Sequence, residues 1–96
     1  MDIRALSVFL SVADTLNFSR SSELLHISVS AVSRTVQRLE DELGQPLLER
    51  DNRSVRLTGA GREFREYARH SVAEGQQLRR KLGNEDELAG EVSLYC

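Results

Sequence analysis

Residues 28–44 read SVSAVSRTVQRLEDELG, and this stretch decides the fold. Its apolar residues recur at helical spacing and form one stripe, Val32, Val36, Leu39 and Leu43. Ser28 stands at a helix N-cap position, and Gly44 stands where a helix usually ends. The other face carries hydroxyls and donor-rich side chains, Ser30, Ser33, Arg34, Gln37 and Arg38. One face is suited to burial, and the other has groups that read base edges and bind phosphates. Taken alone, this polar face fits a merely solvated helix equally well.

Length and composition limit the possible classes of protein. A chain of 96 residues, 40% hydrophobic and 29% charged, is typical of one small globular domain with a modest core. No apolar run approaches membrane-spanning length and no signal peptide is evident, so we expect a cytoplasmic protein without a membrane partner. With one cysteine and two histidines, the sequence offers no internal disulfide and no zinc or haem spacing, and we expect no metal and no cofactor.

The charge distribution leaves two functions open. The net charge of −2 is unusual for a nucleic-acid-binding domain. However, between residues 17 and 37 the sequence has Arg20 and Arg34 against a single acid, Glu23. The acidic run 40–42 lies at the far end of the helix, and we expect it to be solvated. A local basic face would bind DNA through few phosphates and need more than one copy. The alternative is a helical dimerisation or protein-interaction module without DNA binding, which the polar recognition face argues against.

The residues before this stretch predict two more helices. The first runs from about residue 3 to 16, and Asn17 interrupts it. The second runs from about residue 19 to 26 and is joined to the third by a very short turn. Two helices connected in this way, the second with a polar outer face, form a helix-turn-helix. We expect Ser22, Ile27 and Val32 to provide its internal packing.

The residues after Gly44 predict a hairpin and then a long helix. Residues 46–50 and 54–57 are strand candidates around the turn cluster 51–53, which makes a wing beside the third helix. Thr58 is a suitable N-cap for a helix over 59–82 that is about 36 Å long. We expect Gly83 and Asn84 to end this helix, residues 85–87 to form a solvated acidic link, and residues 91–96 to form a strand.

The long helix is expected to form a dimer. One continuous face carries Phe64, Tyr67, Ala68, Ser71, Val72, Gly75, Leu78 and Leu82. Only its first turns can be covered by so small a domain, and the remaining apolar stripe requires a partner. Several of these residues are small, which permits two helices to approach closely around a twofold axis.

Several short motifs, in this order and spacing, resemble the LysR-type transcriptional regulators. They are residues 9–10, 17–19, 25–28, 30–34, 36–40, 43–44, 47–50 and 57–61, so that the resemblance covers essentially all 96 residues. Within that family, residues 44–47, 50–53, 76–79 and 90–96 resemble regulators of branched-chain amino-acid synthesis genes. The family usually has two alanines where this chain has Ser21 and Ser22, and a Gln or Pro where it has Val29 and Ser30. Contact of Val29 with a thymine methyl would replace the missing Gln contact.

The resemblance implies a mainly α protein of three parts. Residues 1–58 would be a winged helix-turn-helix of three helices and a two-stranded wing, and residues 59–82 a linker helix that pairs antiparallel in a homodimer. Residues 83–96 would be a hinge and the first strand of an effector domain. The sequence would lack the rest of that domain and any effector site in it. The full-length protein could then form a tetramer, and its partner would be double-stranded DNA with an interrupted palindrome.

The candidate DNA-contacting residues fall into three groups, and none of them indicates an enzyme. The third helix would use Ser28, Val29, Ser30, Ser33, Arg34 and Gln37 in the major groove, and Arg38 on a phosphate. The second helix would use Ser19 and Arg20 on the phosphate backbone. In the wing, Arg53 would reach the minor groove and Arg50 its phosphate wall. A catalytic role is not indicated, because His26 and His70 are isolated and the serines have no nearby base.

Overall fold

Four helices and a two-stranded hairpin follow one another along the chain. The computed structural model describes the backbone of residues 2–89 and the side chains of residues 2–83. The elements are α1 (Ile3–Thr15), α2 (Phe18–Leu25), α3 (Val29–Leu43), β1 (Leu48–Arg50), β2 (Val55–Leu57) and α4 (Gly59–Ala89). The strands are antiparallel, with Leu48 opposite Leu57 and Arg50 opposite Val55. The predicted winged helix-turn-helix with a long final helix is confirmed, and the strand expected at 91–96 lies outside the described residues.

Side-chain caps explain where the helices begin. In each case an oxygen accepts a 2.8–3.0 Å hydrogen bond from the backbone N–H three residues on: Asp2 from Ala5, Asn17 from Arg20, Ser28 from Ala31 and Thr58 from Gly61. Such caps satisfy N–H groups that have no partner within the helix. Asn17, which we expected only to interrupt the first helix, is therefore the start signal of α2.

The core consists of two apolar clusters that meet on α1. One contains Leu6, Phe9, Ala13, Leu39, Leu47, Phe64 and Ala68. The other contains Val8, Val12, Val32, Val36 and Leu48. The rings of Phe9 and Phe64 pack edge to face with their centroids 5.2 Å apart, a favoured aromatic geometry. Since α1 contributes to both clusters, it holds the helix-turn-helix, the wing and α4 together.

Of the two serines expected to permit a close crossing of α1 and α2, it is Ser21 that lies at the crossing. Ser21 is fully buried, and its hydroxyl lies 3.1 Å from that of Ser11 and 2.9 Å from that of Thr15. Ser22 is half-buried and donates to the carbonyl of Ser19. Ile27, also expected inside, is exposed. A buried hydroxyl requires hydrogen-bond partners, and α1 supplies two of them at this position.

Helix α4 is longer than predicted. It continues through Gly83 to Ala89, whereas we expected it to end at residue 82 and be followed by a loop. A glycine inside a helix costs only about 1 kcal/mol relative to alanine, and the glycine that commonly ends a helix does so in a left-handed conformation. With 31 residues, α4 is about 46 Å long and accounts for the 53 × 25 × 20 Å dimensions of the molecule.

Candidate nucleic-acid interface

Helix α3 divides into a buried and an exposed face as the sequence predicts. Val32, Val36 and Leu39 are buried in the core. On the other side, Val29, Ser30, Arg34, Gln37 and Arg38 are exposed and Ser33 is half-buried. Gln37 donates to Asp41 on the same helix at 3.1 Å. The exposed face thus combines a short hydroxyl-bearing start with long cationic side chains, which is a composition suited to a groove lined by phosphates.

The exposed face of α3 is free to take a ligand. Among the side chains that the structure describes, the guanidinium of Arg34 has no hydrogen-bond or ion-pair partner. Ser28 is exposed, and its oxygen is already used to cap α3. Because an arginine keeps its charge at any physiological pH, Arg34 presents an uncompensated cation at the surface.

The first turn of α2 presents a second set of predicted contacts. Ser19 and Arg20 are both exposed immediately after the cap Asn17. The first backbone N–H groups of a helix point outward and favour an anion. This helix start could therefore hold one phosphate, with Arg20 adding its charge.

The wing tip is ordered by one carboxylate. Asp51 accepts hydrogen bonds from the backbone N–H groups of Arg53 and Ser54, both at 2.8 Å, and from the Ser54 hydroxyl at 3.3 Å. These bonds, first that from Arg53 and then that from Ser54, lower the pKa of Asp51 below its ordinary value. The turn leaves Arg53 exposed at the tip, the position the sequence predicts for it.

Arg50 lies against the helices, which the sequence did not indicate. Its guanidinium carbon is 4.4 Å from the centre of the Phe18 ring. Its Nη1 donates to the Ser33 hydroxyl over 3.4 Å. We expected Arg50 beside Arg53 on a phosphate wall. Its exposed side chain also joins β1 to Phe18 at the start of α2 and to Ser33 in α3. These two contacts show that the three elements carrying the predicted DNA contacts lie side by side.

Glu40 fixes the base of the wing. We expected it to belong to a solvated acidic run, and this expectation was wrong. Its Oε2 accepts from the backbone N–H groups of Leu47 at 2.7 Å and Leu48 at 3.2 Å. Thr58 closes the other side, because its N–H donates to the Leu47 carbonyl and its hydroxyl to the Pro46 carbonyl. No pattern in the sequence indicates this role of Glu40, since its partners are brought near only by the fold.

The predicted dimer face is partly used within the domain. Phe64 and Ala68 are 8% and 0% exposed in the core, which corrects their assignment to the interface. Ser71, Val72 and Gly75 are half-buried, with Gly75 against Ile3 of α1. Tyr67, Leu78 and Leu82 remain 53%, 57% and 49% exposed. The sequence pattern could not separate these groups, because the residues packed on α1 and the free ones lie on the same stripe.

Other kinds of site receive no support from the described part of the chain. Among the described side chains, those of residues 2–83, no three His, Asp or Glu converge on a point where a metal ion could bind. The helices over the same residues are too short or too polar to cross a membrane.

Comparison with known proteins gives the family. Residues 3–62 match the family described as bacterial regulatory helix-turn-helix protein, lysR family. The HTH-type transcriptional activator IlvY of Salmonella typhimurium is 46% identical over 97 aligned residues, which cover 100% of this chain and 33% of IlvY. The chain thus spans about a third of the length of this relative. The resemblance to LysR-type regulators, and within them to IlvY, is therefore confirmed.

Solved structures agree in fold. The DNA-binding domain of BenM in complex with catB site 1 DNA superposes with a TM-score of 0.81 at 32% identity, covering 96% of this chain and 100% of that one. Vibrio fischeri DarR in complex with DNA gives 0.85 at 31% identity, covering 92% of this chain and 30% of DarR. These relatives are regulators and not enzymes. The fold, the matched family and these relatives lead to one conclusion: the chain belongs to the lysR family of bacterial helix-turn-helix regulators.

Proposed function

We propose that this chain binds double-stranded DNA sequence-specifically as the N-terminal part of a LysR-type transcriptional regulator. One observation carries the proposal: the exposed face of α3, with an Arg34 that pairs with none of the described side chains, is flanked by the start of α2 and by the wing. The contacts of Arg50 with Phe18 and Ser33 bring these three elements together. The similar BenM domain was solved in a complex with DNA, which supports the same use of this surface.

In this proposal α3 enters the major groove and the wing lies over the adjacent minor groove. Val29, Ser30, Ser33 and Arg34 face base edges, and Ser28 and Gln37 border them. Ser19, Arg20 and Arg38 hold phosphates, which fixes the register but carries no sequence information. Arg53 enters the minor groove, where a narrow A·T-rich segment attracts arginine.

A homodimer completes the proposal. A domain of net charge −2 with few phosphate contacts should bind DNA weakly as one copy. Two copies held at a fixed spacing gain affinity through effective concentration and read an interrupted palindrome. Tyr67, Leu78 and Leu82 provide the exposed apolar surface for this pairing. The longer protein would carry the effector domain and could assemble into a tetramer.

The similarity to IlvY supports a role for the longer protein as an activator of branched-chain amino-acid synthesis genes. Because its DNA target would be the bacterial chromosome, we place its action in the cytoplasm. A direct check is binding to the promoter regions of those genes in the source genome, compared with unrelated promoters of equal length and A·T content.

Selection from a random duplex pool tests DNA binding itself. The 96-residue chain is mixed with 30-base-pair duplexes with random centres at two salt concentrations, and shifted duplexes are amplified and sequenced. We expect an enriched palindromic motif and an affinity that falls steeply with salt. Arg34→Ala should lose the enrichment, whereas Arg69→Ala, on the exposed side of α4 and paired with Glu66, should keep it. The absence of a shifted species, or a shift without any enriched motif, would contradict the proposal and favour a protein-interaction module.

A further inference from the structure

We propose that Arg50 is a positioning residue that sets sequence preference by fixing the wing and Ser33, and that it does not act as a phosphate contact. The proposal rests on the proposed function, since it concerns how the DNA-facing surface is held. It starts from two contacts of one guanidinium: the 4.4 Å approach to the Phe18 ring and the 3.4 Å hydrogen bond to Ser33.

Phe18 provides a fixed support for this guanidinium. It is the first residue of α2, directly after the cap Asn17, and it is half-buried against the second core cluster. A guanidinium over an aromatic face is attracted by the negative charge of the ring. Because the ring itself is packed, the last residue of β1 is tied to the helix-turn-helix and not only to its own hairpin.

The hydrogen bond to Ser33 affects what this hydroxyl can offer to DNA. Ser33 accepts from Arg50 Nη1, and an arginine can only donate. A serine hydroxyl has one hydrogen, so that the hydrogen of Ser33 remains available to donate. Acceptors in the major groove are guanine N7 and O6, adenine N7 and thymine O4. We infer that Arg50 presents Ser33 as a donor and thereby favours these acceptors over the amino group of cytosine.

The wing also depends on this anchor. A two-stranded hairpin alone is marginal in water, and this one has three residues in each strand. Arg50 is paired with Val55 at the end of the ladder next to the turn. Its side chain therefore holds the part of the hairpin nearest to Arg53. Without it, the tip would sample many directions, and a preference for one minor-groove width would be lost.

Four variants separate positioning from a phosphate contact. Arg50→Lys keeps the charge but loses the planar fork and its stacking. Arg50→Gln removes the charge, and Phe18→Leu removes the ring face. Arg56→Gln is the matched control, since it removes one charge from the same hairpin at an exposed position, where Arg56 pairs across the strands with Glu49. Thermal unfolding of each variant, monitored by circular dichroism, identifies a temperature at which all variants are folded.

Binding is measured by fluorescence anisotropy on the duplex that the wild type selects, on single-base variants of it and on mixed-sequence duplex, at two salt concentrations. We expect Arg50→Lys and Phe18→Leu each to lower the preference for the selected duplex by about tenfold, the size of one base contact. Binding to mixed duplex and the salt dependence should stay unchanged. A double variant that carries both Arg50→Lys and Phe18→Leu should be no worse than either single one, because both substitutions break the same contact. Arg56→Gln should keep the preference.

Opposite results identify a different role. If Arg50→Lys behaves as wild type while Arg50→Gln weakens all duplexes alike and lowers the salt slope by about one, Arg50 binds a phosphate and the proposal is wrong. If the wild type selects no sequence, it is the proposed DNA-binding function that fails. A measurement without DNA still examines the anchor: amide hydrogen exchange at Arg53 and Ser54 should be faster in Arg50→Lys and Phe18→Leu than in Arg56→Gln. Equal exchange in all three would refute the anchor itself.

Discussion

Glu40 accepts a 2.7 Å hydrogen bond from the backbone N–H of Leu47. This bond joins the last turns of α3 to the start of the wing across a loop that contains the left-handed Gly44. Leu47 is itself buried in the core, so its N–H cannot be satisfied by water. A single carboxylate thus sets how the wing leaves the recognition helix.

Glu40→Ala should destabilise the domain by about 1.5–3 kcal/mol, because two N–H groups lose a charged acceptor. Glu40→Gln should cost less, since its amide oxygen still accepts. Asp41→Ala is the control, as Asp41 is exposed and accepts a hydrogen bond from Gln37 on the same helix. Urea unfolding followed by circular dichroism gives these values. Equal losses for Glu40→Ala and Asp41→Ala would contradict the fastening role of Glu40.

Gly61→Ala should destabilise the domain, whereas Gly83→Ala should stabilise it. A Cβ at residue 61 would collide with the backbone carbonyl of Leu47, so α4 would have to move away from the wing. We expect a loss of about 1–3 kcal/mol, as for other overpacked sites. A Cβ at residue 83 would have no neighbour within 4 Å in the described part of the chain, and alanine is favoured there by up to about 1 kcal/mol. Thermal unfolding of both variants compares the two effects, and a tolerated Gly61→Ala would show that this approach is not close.

The wing tip should loosen in acid. The pKa of Asp51 is lowered from its ordinary value of 3.8, mainly by the hydrogen bond from Arg53. A folded-state pKa below the unfolded one gives stability that is present above the ordinary value and is lost as the pH falls through the folded pKa. Amide exchange at Arg53 and Ser54, after correction for intrinsic rates, should therefore rise below about pH 4. Asp51→Asn should remove this pH dependence. A wild-type tip that stays equally protected at pH 2.5 would contradict it.

Arg34→Ala and Arg20→Ala should weaken DNA binding in different ways. Arg34 lies on the exposed face of α3, so its loss should cost about 1–3 kcal/mol of preference for the selected duplex over mixed sequence. Arg20 lies at the start of α2, so its loss should weaken all duplexes alike and lower the salt slope by about one. Anisotropy titrations at several salt concentrations separate the two. A sequence-selective loss from Arg20→Ala would place Arg20 at a base instead.

The chain should dimerise through the exposed part of α4. Leu78→Glu puts a charge into the proposed contact and should shift a micromolar sample toward the monomer, with weaker binding to the palindromic duplex. Gln76→Glu adds the same charge on another side of the helix, since residues two apart do not face the same way. Sedimentation equilibrium of wild type and both variants measures this. A monomeric wild type that binds the palindrome with full affinity would exclude both the dimer and this account of affinity.

The sequence predicted most of the fold because local signals agree with the tertiary structure. The 3.6-residue stripe of α3 is buried over Val32, Val36 and Leu39, and Ser28 and Gly44 bound this helix as expected. Leu43, the last residue of the predicted stripe, is 37% exposed. Thr58 likewise begins α4 where the hairpin ends. These signals act within four residues along the chain, and such interactions are readable without the fold.

What the sequence did not predict depends on contacts between distant elements. Glu40 and Arg50 look like surface charges in the sequence, and only the approach of the wing to the helices gives them partners. The division of the α4 stripe into core residues such as Ala68 and exposed ones such as Leu78 depends on how far α1 extends along it. The continuation through Gly83 shows a different limit, since a glycine in the sequence does not by itself end a helix, whereas α1 and α2 end at the left-handed residues Leu16 and His26.

Because α4 is uninterrupted, the number of residues between two of its side chains sets the angle between them about the helix axis. An α-helix advances by about 1.5 Å and rotates by about 100° for every residue. The exposed side chains of Tyr67, Leu78 and Leu82 therefore point in fixed directions relative to α3 and the wing. One residue inserted after Gly75 would swing everything beyond it by more than a quarter turn. An insertion of seven residues would nearly restore the original side-chain directions while lengthening α4 by about 10 Å.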